Sequence, residues 1–433
     1  MKKPLYAVLI LSVFIAGGNL SAQDAPENNA ALVYRKAANL LREMPKDSQG
    51  FIKNANVVIE NGWTSEFNDL KPLILKNTQA IAEFRSGAKV EKCDFTLGEK
   101  FERTPAGKTP NFAGVVNLAR LALLQARLFE QQNKWDAVLD DYLAVLRLEC
   151  HLNRQKDHVL LSQMIGLIVQ KMAYKPLCDL IKRKELTFKQ ASLLSAEMNA
   201  ARRGSLGLDA ALVDEREFAR AAGESLMSFD EKGDYKREFM KEFNAREDEI
   251  FALLNGAYAR NDLSAFNKAI KGFDELLQKE IKEKQRFNPL IPKDIAASMQ
   301  DPQSALRVMP FYGPKIMARY LAGIGASQYA RVIASHYIAR VNFDLLRIAA
   351  AIRSYKLKNR RLPDSLLAMT PDYLDVVPAD PFNYFRPVKY VKSKKEWRVY
   401  SLGPDRNDDQ AKVVHSGATE KIEEKGDLVI TGG

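Results

Sequence analysis

Ile333, Tyr337, Val341, Leu345, Ile348, Ile352 and Tyr355 recur at steps of three and four residues, which places them on one face of an α-helix. Arg331, Arg340, Asp344, Arg347 and Arg353 interrupt any continuous apolar run, so this helix is not a membrane span. Its apolar stripe must therefore pack against another part of the protein. Pro363 ends the helical stretch, and Pro371, Pro378 and Pro381 follow, as in an ordered irregular loop. Val388, Tyr390 and the run Trp397-Arg398-Val399-Tyr400 then read as short strands, turning at Ser393-Lys394-Lys395. Leu428-Val429-Ile430 is a last candidate strand, set off by Gly426-Asp427.

The order of these pieces is itself informative. A long helix precedes Asn359, Arg361, Pro363, Ser365 and Leu366; then come Tyr373, Leu374, Pro378, Asp380, Pro381 and Phe382; Tyr400, Ser401, Leu402, Gly403, Asp405 and Asp409 close the set. Over some eighty residues, about a fifth of the chain, it resembles the globular head of the G-type pseudopilin of type II secretion. Such heads place glycine after the asparagine, where a helix end wants left-handed backbone; here the residue is Arg360. The glycine expected after the aromatic is Asn383, which tolerates the same conformation. A pseudopilin carries its long helix at its own N-terminus, whereas this one begins about three hundred residues into the chain. The resemblance thus implies a borrowed fold.

The chain begins Met1-Lys2-Lys3, a short positive region, and continues into PLYAVLILSVFIAGG, a short apolar one. Leu20-Ser21-Ala22 then provides a small-residue cleavage site, so residues 1–22 are expected to be a signal peptide, with an uncleaved inner-membrane anchor as the rival reading. The expected address is the periplasm or the exterior, with no transmembrane segment once the signal is removed. Losing Lys2 and Lys3 lowers the net charge of +11 by two. The remaining excess favours anionic partners, yet it is spread along solvated helices such as 279–286, and no aromatic-interleaved basic groove suggests nucleic acid. Cys93, Cys150 and Cys178 are too few for a disulfide scaffold. Cys150 and Cys178 would lie about 25 Å apart along a helical hairpin, too far to bridge.

At 433 residues the chain can form two or three domains. Helical spacing marks 30–44, a stretch from Ser65 past Pro72 to about Arg85, and a hairpin of 112–132 and 135–152 joined at Asn133-Lys134. That hairpin resembles a single tetratricopeptide (TPR-like) unit, without a second copy. A helix at 159–181 should bend or end at Pro176, and Thr187 should cap the next, 188–202. Residues 205–286 are helical and more charged. Prolines at 289, 292, 302, 310 and 314 mark a linker; a helix resumes near Lys315, weakened by Gly323 and Gly325. The expected fold is mainly α, with a large antiparallel helical domain over 23–287. A Pro-rich linker over 288–314 leads to a small α+β pseudopilin-like head over 315–433. Residues 30–220 also resemble an exported bacterial family bearing this same C-terminal module, on Glu83-Phe84, Cys93-Asp94-Phe95, Asn117-Leu118-Ala119-Arg120, Trp135-Asp136-Ala137 and Glu215-Arg216. This second resemblance implies architecture and address and no reaction.

G-type pseudopilins bind Ca²⁺ in the loop that Leu402–Asp409 resembles, and hard cations want clustered oxygen ligands. Carried over, the set is the Leu402 carbonyl with Asp405, Asp408 and Asp409. An EF-hand is excluded, because its sixth and twelfth places hold Gln410 and Ser416. The competing reading of the loop is a solvated acidic turn. Asp380 is expected to accept local backbone N–H bonds, and His151, His158, His336 and His415 form no ligand set. Glu217 and Arg220 are spaced to pair on one helix. No HExxH, G-x-S-x-G, GxGxxG or P-loop occurs. The leading functional expectation is a non-catalytic interaction or scaffold protein of the envelope, binding a protein or envelope component. The alternatives are a glycan or peptidoglycan hydrolase with two converging carboxylates, and an accessory of a secretion or pilus-like assembly.

Overall fold

A computed structural model describes residues 28–44, 48–95, 112–155, 159–203, 208–227, 233–260, 263–287, 311–393, 396–417 and 424–433. The expected signal peptide, most of the Pro-rich linker (288–310), the loop 96–111 and His158 lie outside the described residues. The described chain is mainly α-helical with a small antiparallel sheet at its C-terminal end. It falls into two compact units, one of residues 208–333 and one of 28–95, 112–203 and 334–433. The sequence divisions at 287 and 315 both fall inside the first of these.

The second unit begins with α1 (Ala30–Asn39), α2 (Ser48–Asn61), α3 (Leu70–Lys76) and α4 (Thr78–Ala88). The stretch read as one helix past Pro72 is thus a 3₁₀ turn and two helices, broken at Asn77. Asn77 is wholly buried, and its side chain bonds the Arg42 N–H and the Leu73 carbonyl. The hairpin lies where expected, as α5 (Phe112–Gln131) and α6 (Trp135–Asn153). Asn133 takes the left-handed turn with φ 55°, a conformation asparagine adopts readily. By length and composition α5 could cross a membrane, but 67% of its apolar window is buried inside the unit. It also holds the fully buried Arg127, which bonds the Ile59 carbonyl at 2.8 Å, Glu130 at 2.9 Å and Asp179 at 3.0 Å.

α7 (Val159–Lys182) runs through Pro176 without ending there. α8 (Phe188–Arg203) starts at a capping box in which Thr187 and Gln190 each accept the other's backbone N–H. In the first unit, α9 (Leu208–Leu226), α10 (Asp234–Arg260) and α11 (Leu263–Phe287) are amphipathic helices. Arg216 and Arg220 both reach Asp248 of α10. Phe239 stacks on Phe243, and Arg319 is held by Glu242 and Glu280.

α12 (Pro314–Asn359) is continuous through Gly323 and Gly325. From Ala334 onward it belongs to the second unit, where every residue from Val341 to Ile352 is buried. Over residues 341–352 the apolar stripe read from the sequence is therefore only part of a segment buried on its whole circumference. The strands follow as expected. β3 (Lys389–Lys392), β4 (Trp397–Ser401) and β5 (Leu428–Gly432) form an antiparallel sheet, and β1 (Ala379–Asp380) pairs β2 (Arg386–Pro387). Trp397, Val399 and Ile430 are buried while Arg398 is exposed, and the alternation ends at Tyr400 and Ser401, which are both buried. Tyr337 meets the Phe382 ring, and Asn342 bonds the Gly417 carbonyl at 2.9 Å, tying α12 to the loops around the sheet. Arg360 occupies the left-handed position with φ 56°. After the aromatic, the left-handed residues are Tyr384 and Phe385, not Asn383.

Candidate functional site

The acidic loop joins β4 toward β5. Leu402 donates its N–H to Asp380, 3.1 Å away. Gly403 has φ +72°, and a Cβ there would sit 2.2 Å from the Gly426 carbonyl oxygen, so only glycine fits. Asp405 accepts N–H bonds from Asn407 at 3.2 Å and Gly426 at 3.1 Å. Asp408 accepts from Gln410 at 3.2 Å and pairs with the Lys389 ammonium, which holds its carboxyl below the usual range. Asp409 accepts from the Asn407 amide at 3.0 Å. The carboxylates carried over as Ca²⁺ ligands thus each answer a donor within the protein. Among the described residues, no group of three or more His, Cys, Asp or Glu side chains is set to hold a metal ion.

Sequence reasoning missed a fourth acid here. Asp427 is fully buried; one carboxylate oxygen accepts the Ala411 N–H at 2.6 Å, and the other has no partner. Burial pushes its carboxyl up and the fields of Asp408 and Asp409 push the same way, against N–H bonds from Ala411 and Asp409. The available signal was its place after Gly426 at the head of β5, but eighteen residues or more separate it from the acids it meets. Asp380 acts as expected: Phe382 N–H at 2.9 Å, Ser401 hydroxyl at 2.7 Å and Leu402 N–H fill its carboxylate.

A second polar centre lies where α8 meets α12 inside the same unit. Asp344 and Arg347 are both buried. Arg202 of α8 reaches Asp344 at 3.1 Å, and Arg347 bonds Asp344 and the Asn199 side chain, each at 3.1 Å. Nearby, burial lifts Glu149 to about 7 against hydrogen bonds from Cys150 and Asn153. Burial lowers His336 to about 4, with Arg340 and Arg202 adding to the effect. Elsewhere in the unit, Asp141 is lifted to about 8 by burial, opposed by Arg85 at 3.0 Å. His151 is likewise lowered by burial to about 4, and its Nδ1 shares a hydrogen bond with the Tyr34 hydroxyl at 2.8 Å. The three cysteines are free, and burial pushes the thiols of Cys93 and Cys178 to about 12 and 11.

Beside this centre, α8 and the 371–375 turn enclose a cleft of about 170 Å³. Ser195 and Asn199 close one wall by donating to the Tyr373 carbonyl at 2.9 and 3.1 Å. Arg203 pairs with Asp375 at the rim. None of the raised carboxylates Asp141, Glu149 and Glu247 lines it. Chemically the cleft offers hydroxyls, one guanidinium and two carboxylates. No protein-family model matches this chain, and neither a curated protein nor a solved structure matches it.

Proposed function

We propose that this chain is an exported, non-catalytic interaction or scaffold protein of the cell envelope, in which the pseudopilin-like head completes a helical unit instead of building a filament. The observation that supports this reading is the enclosure of α12. A helix that packs into a filament leaves a face for its neighbours, and from Val341 to Ile352 no face is left. Asp344 and Arg347 are answered within the chain by Arg202 and Asn199, so the spine is an internal part. The exposed faces of the remaining helices are then the surface for a protein or envelope component, because the TPR-like hairpin α5–α6 is largely buried. Ca²⁺ belongs to this reading as a stabiliser of the 402–409 loop; it would have to displace Lys389 from Asp408, and would find the unpartnered oxygen of Asp427 beside it.

The test is affinity capture of the tagged mature protein from a cross-linked envelope extract, with partners identified by mass spectrometry. A reproducible partner that is neither a pseudopilin nor a secretion-machine component is the expected result. Recovery of pseudopilins as the main partners would overturn the reading in favour of an assembly accessory. Turnover of purified peptidoglycan by the wild type would overturn it in favour of a hydrolase.

A further inference from the structure

The cleft between α8 and the 371–375 turn has a feature that hairpin packing does not require. Ser354 of α12 lines it, is fully buried, and its hydroxyl has no hydrogen-bond partner. A buried hydroxyl left unmatched is destabilising, so a polar group or a water entering the cleft would be stabilised by meeting it. Ser192, Ser195, Asn199 and Arg203 fall on one face of α8 at successive turns and form the facing wall. Asp372 and Asp375 line the opposite side. The lining charges are one guanidinium and two carboxylates, and the space is about 170 Å³, far below a drug-sized pocket.

We infer that this cleft is a binding site for a small α-amino-acid zwitterion, free or as the exposed end of a short chain. The ligand's carboxylate is matched by Arg203 and the Ser354 and Ser192 hydroxyls, and its ammonium by Asp372 and Asp375. A simple anion would face two carboxylates against one guanidinium, and an apolar ligand would leave the Ser354 hydroxyl unmet. The cleft's size admits a side chain no larger than that of a small residue. Binding requires Arg203 to share or exchange its bond with Asp375, so ligand affinity and the rim ion pair are coupled.

The full-length mature protein is titrated calorimetrically with glycine and L-alanine, with acetate and ethanolamine as half-ligands and L-tryptophan as an oversized control. Saturable heat is expected for glycine or L-alanine, weaker or no heat for each half-ligand, and none for tryptophan. Ser354→Ala should weaken glycine binding about tenfold through one lost hydrogen bond to a charged group, while the unfolding midpoint stays the same or rises. Asp372→Asn, at an exposed position, should weaken glycine and ethanolamine together and strengthen acetate. No saturable binding of glycine or L-alanine to the wild type, with Ser354→Ala merely stabilising the fold, would overturn the inference and leave the cleft occupied by water alone. Equal affinity for acetate and glycine would overturn it in favour of simple anion binding.

Discussion

Asp141 and Asp344 are both buried carboxylates with an arginine beside them, and their surroundings make them behave differently. Asp141 has a folded-state value of about 8 against 3.8 for a free side chain, because burial outweighs Arg85. The folded protein then binds a proton that the unfolded chain has lost, so this group's stabilisation is complete below about pH 4 and fades as pH rises toward 8. Asp141→Asn should flatten that slope and raise stability at pH 8 by a few kcal/mol at most, since each tenfold change in proton affinity is worth roughly 1.4 kcal/mol. Urea unfolding of both proteins at pH 5 and pH 8 measures it. Asp344, by contrast, neutralises a buried guanidinium. Asp344→Leu alone should cost about 3–5 kcal/mol by stranding Arg347, whereas Asp344→Leu with Arg347→Met should recover most of that loss. Equal melting points for the single and double variants would show that the pair is not the link between α8 and α12. At the end of α12, Arg360 takes a glycine-type conformation with φ 56°, so Arg360→Gly should raise stability by about 0.5 kcal/mol despite its entropy cost.

Among the elements, the 402–409 loop is the one most tightly specified by its backbone. Gly403→Ala would force a Cβ against the Gly426 carbonyl, and should lower the melting point by the equivalent of about 2 kcal/mol or more. Calcium can be tested on the same element. If the loop takes Ca²⁺, the midpoint should rise with added calcium and fall with chelator, and Lys389→Met should enlarge that difference by freeing Asp408. Identical midpoints in calcium and chelator for wild type and Lys389→Met would remove the cation from the account. Much of this level was legible in the sequence. The strands around Tyr390, Trp397 and Leu428, the α5–α6 turn at Asn133 and the Thr187 cap all come from local periodicity and turn chemistry. The fate of the charges on α12 was not. Periodicity cannot separate a solvated polar face from a buried ion pair when the partners, Asn199 and Arg202, lie more than 140 residues away. Asp427 escaped for the same reason, since its relation to Asp408 and Asp409 exists only after β5 pairs with β4.

Across the whole molecule, the unit that contains the head also contains α1 to α8. Gln170 of α7 bonds the Ala339 carbonyl at 2.8 Å, and Arg353 bonds the Arg183 carbonyl at 2.8 Å, so the join involves several helices. A chain of residues 23–207 should therefore fail to give a cooperative thermal transition, and residues 334–433 made alone should expose the buried face of α12 and aggregate. Circular dichroism melts and light scattering on the two fragments would test this, and a sharp transition in the first would show that α1–α8 stand without the head.

The order in which the ribosome makes this protein follows from that join. Gln170, Asn199 and Arg202 are synthesised early, and the residues that answer them come only with the last hundred. The early helices must wait, unfinished, while the whole of 208–333 is produced. Folding strictly from front to back should therefore stall at α1–α8, and a species interrupted near its end should be the most vulnerable to proteases.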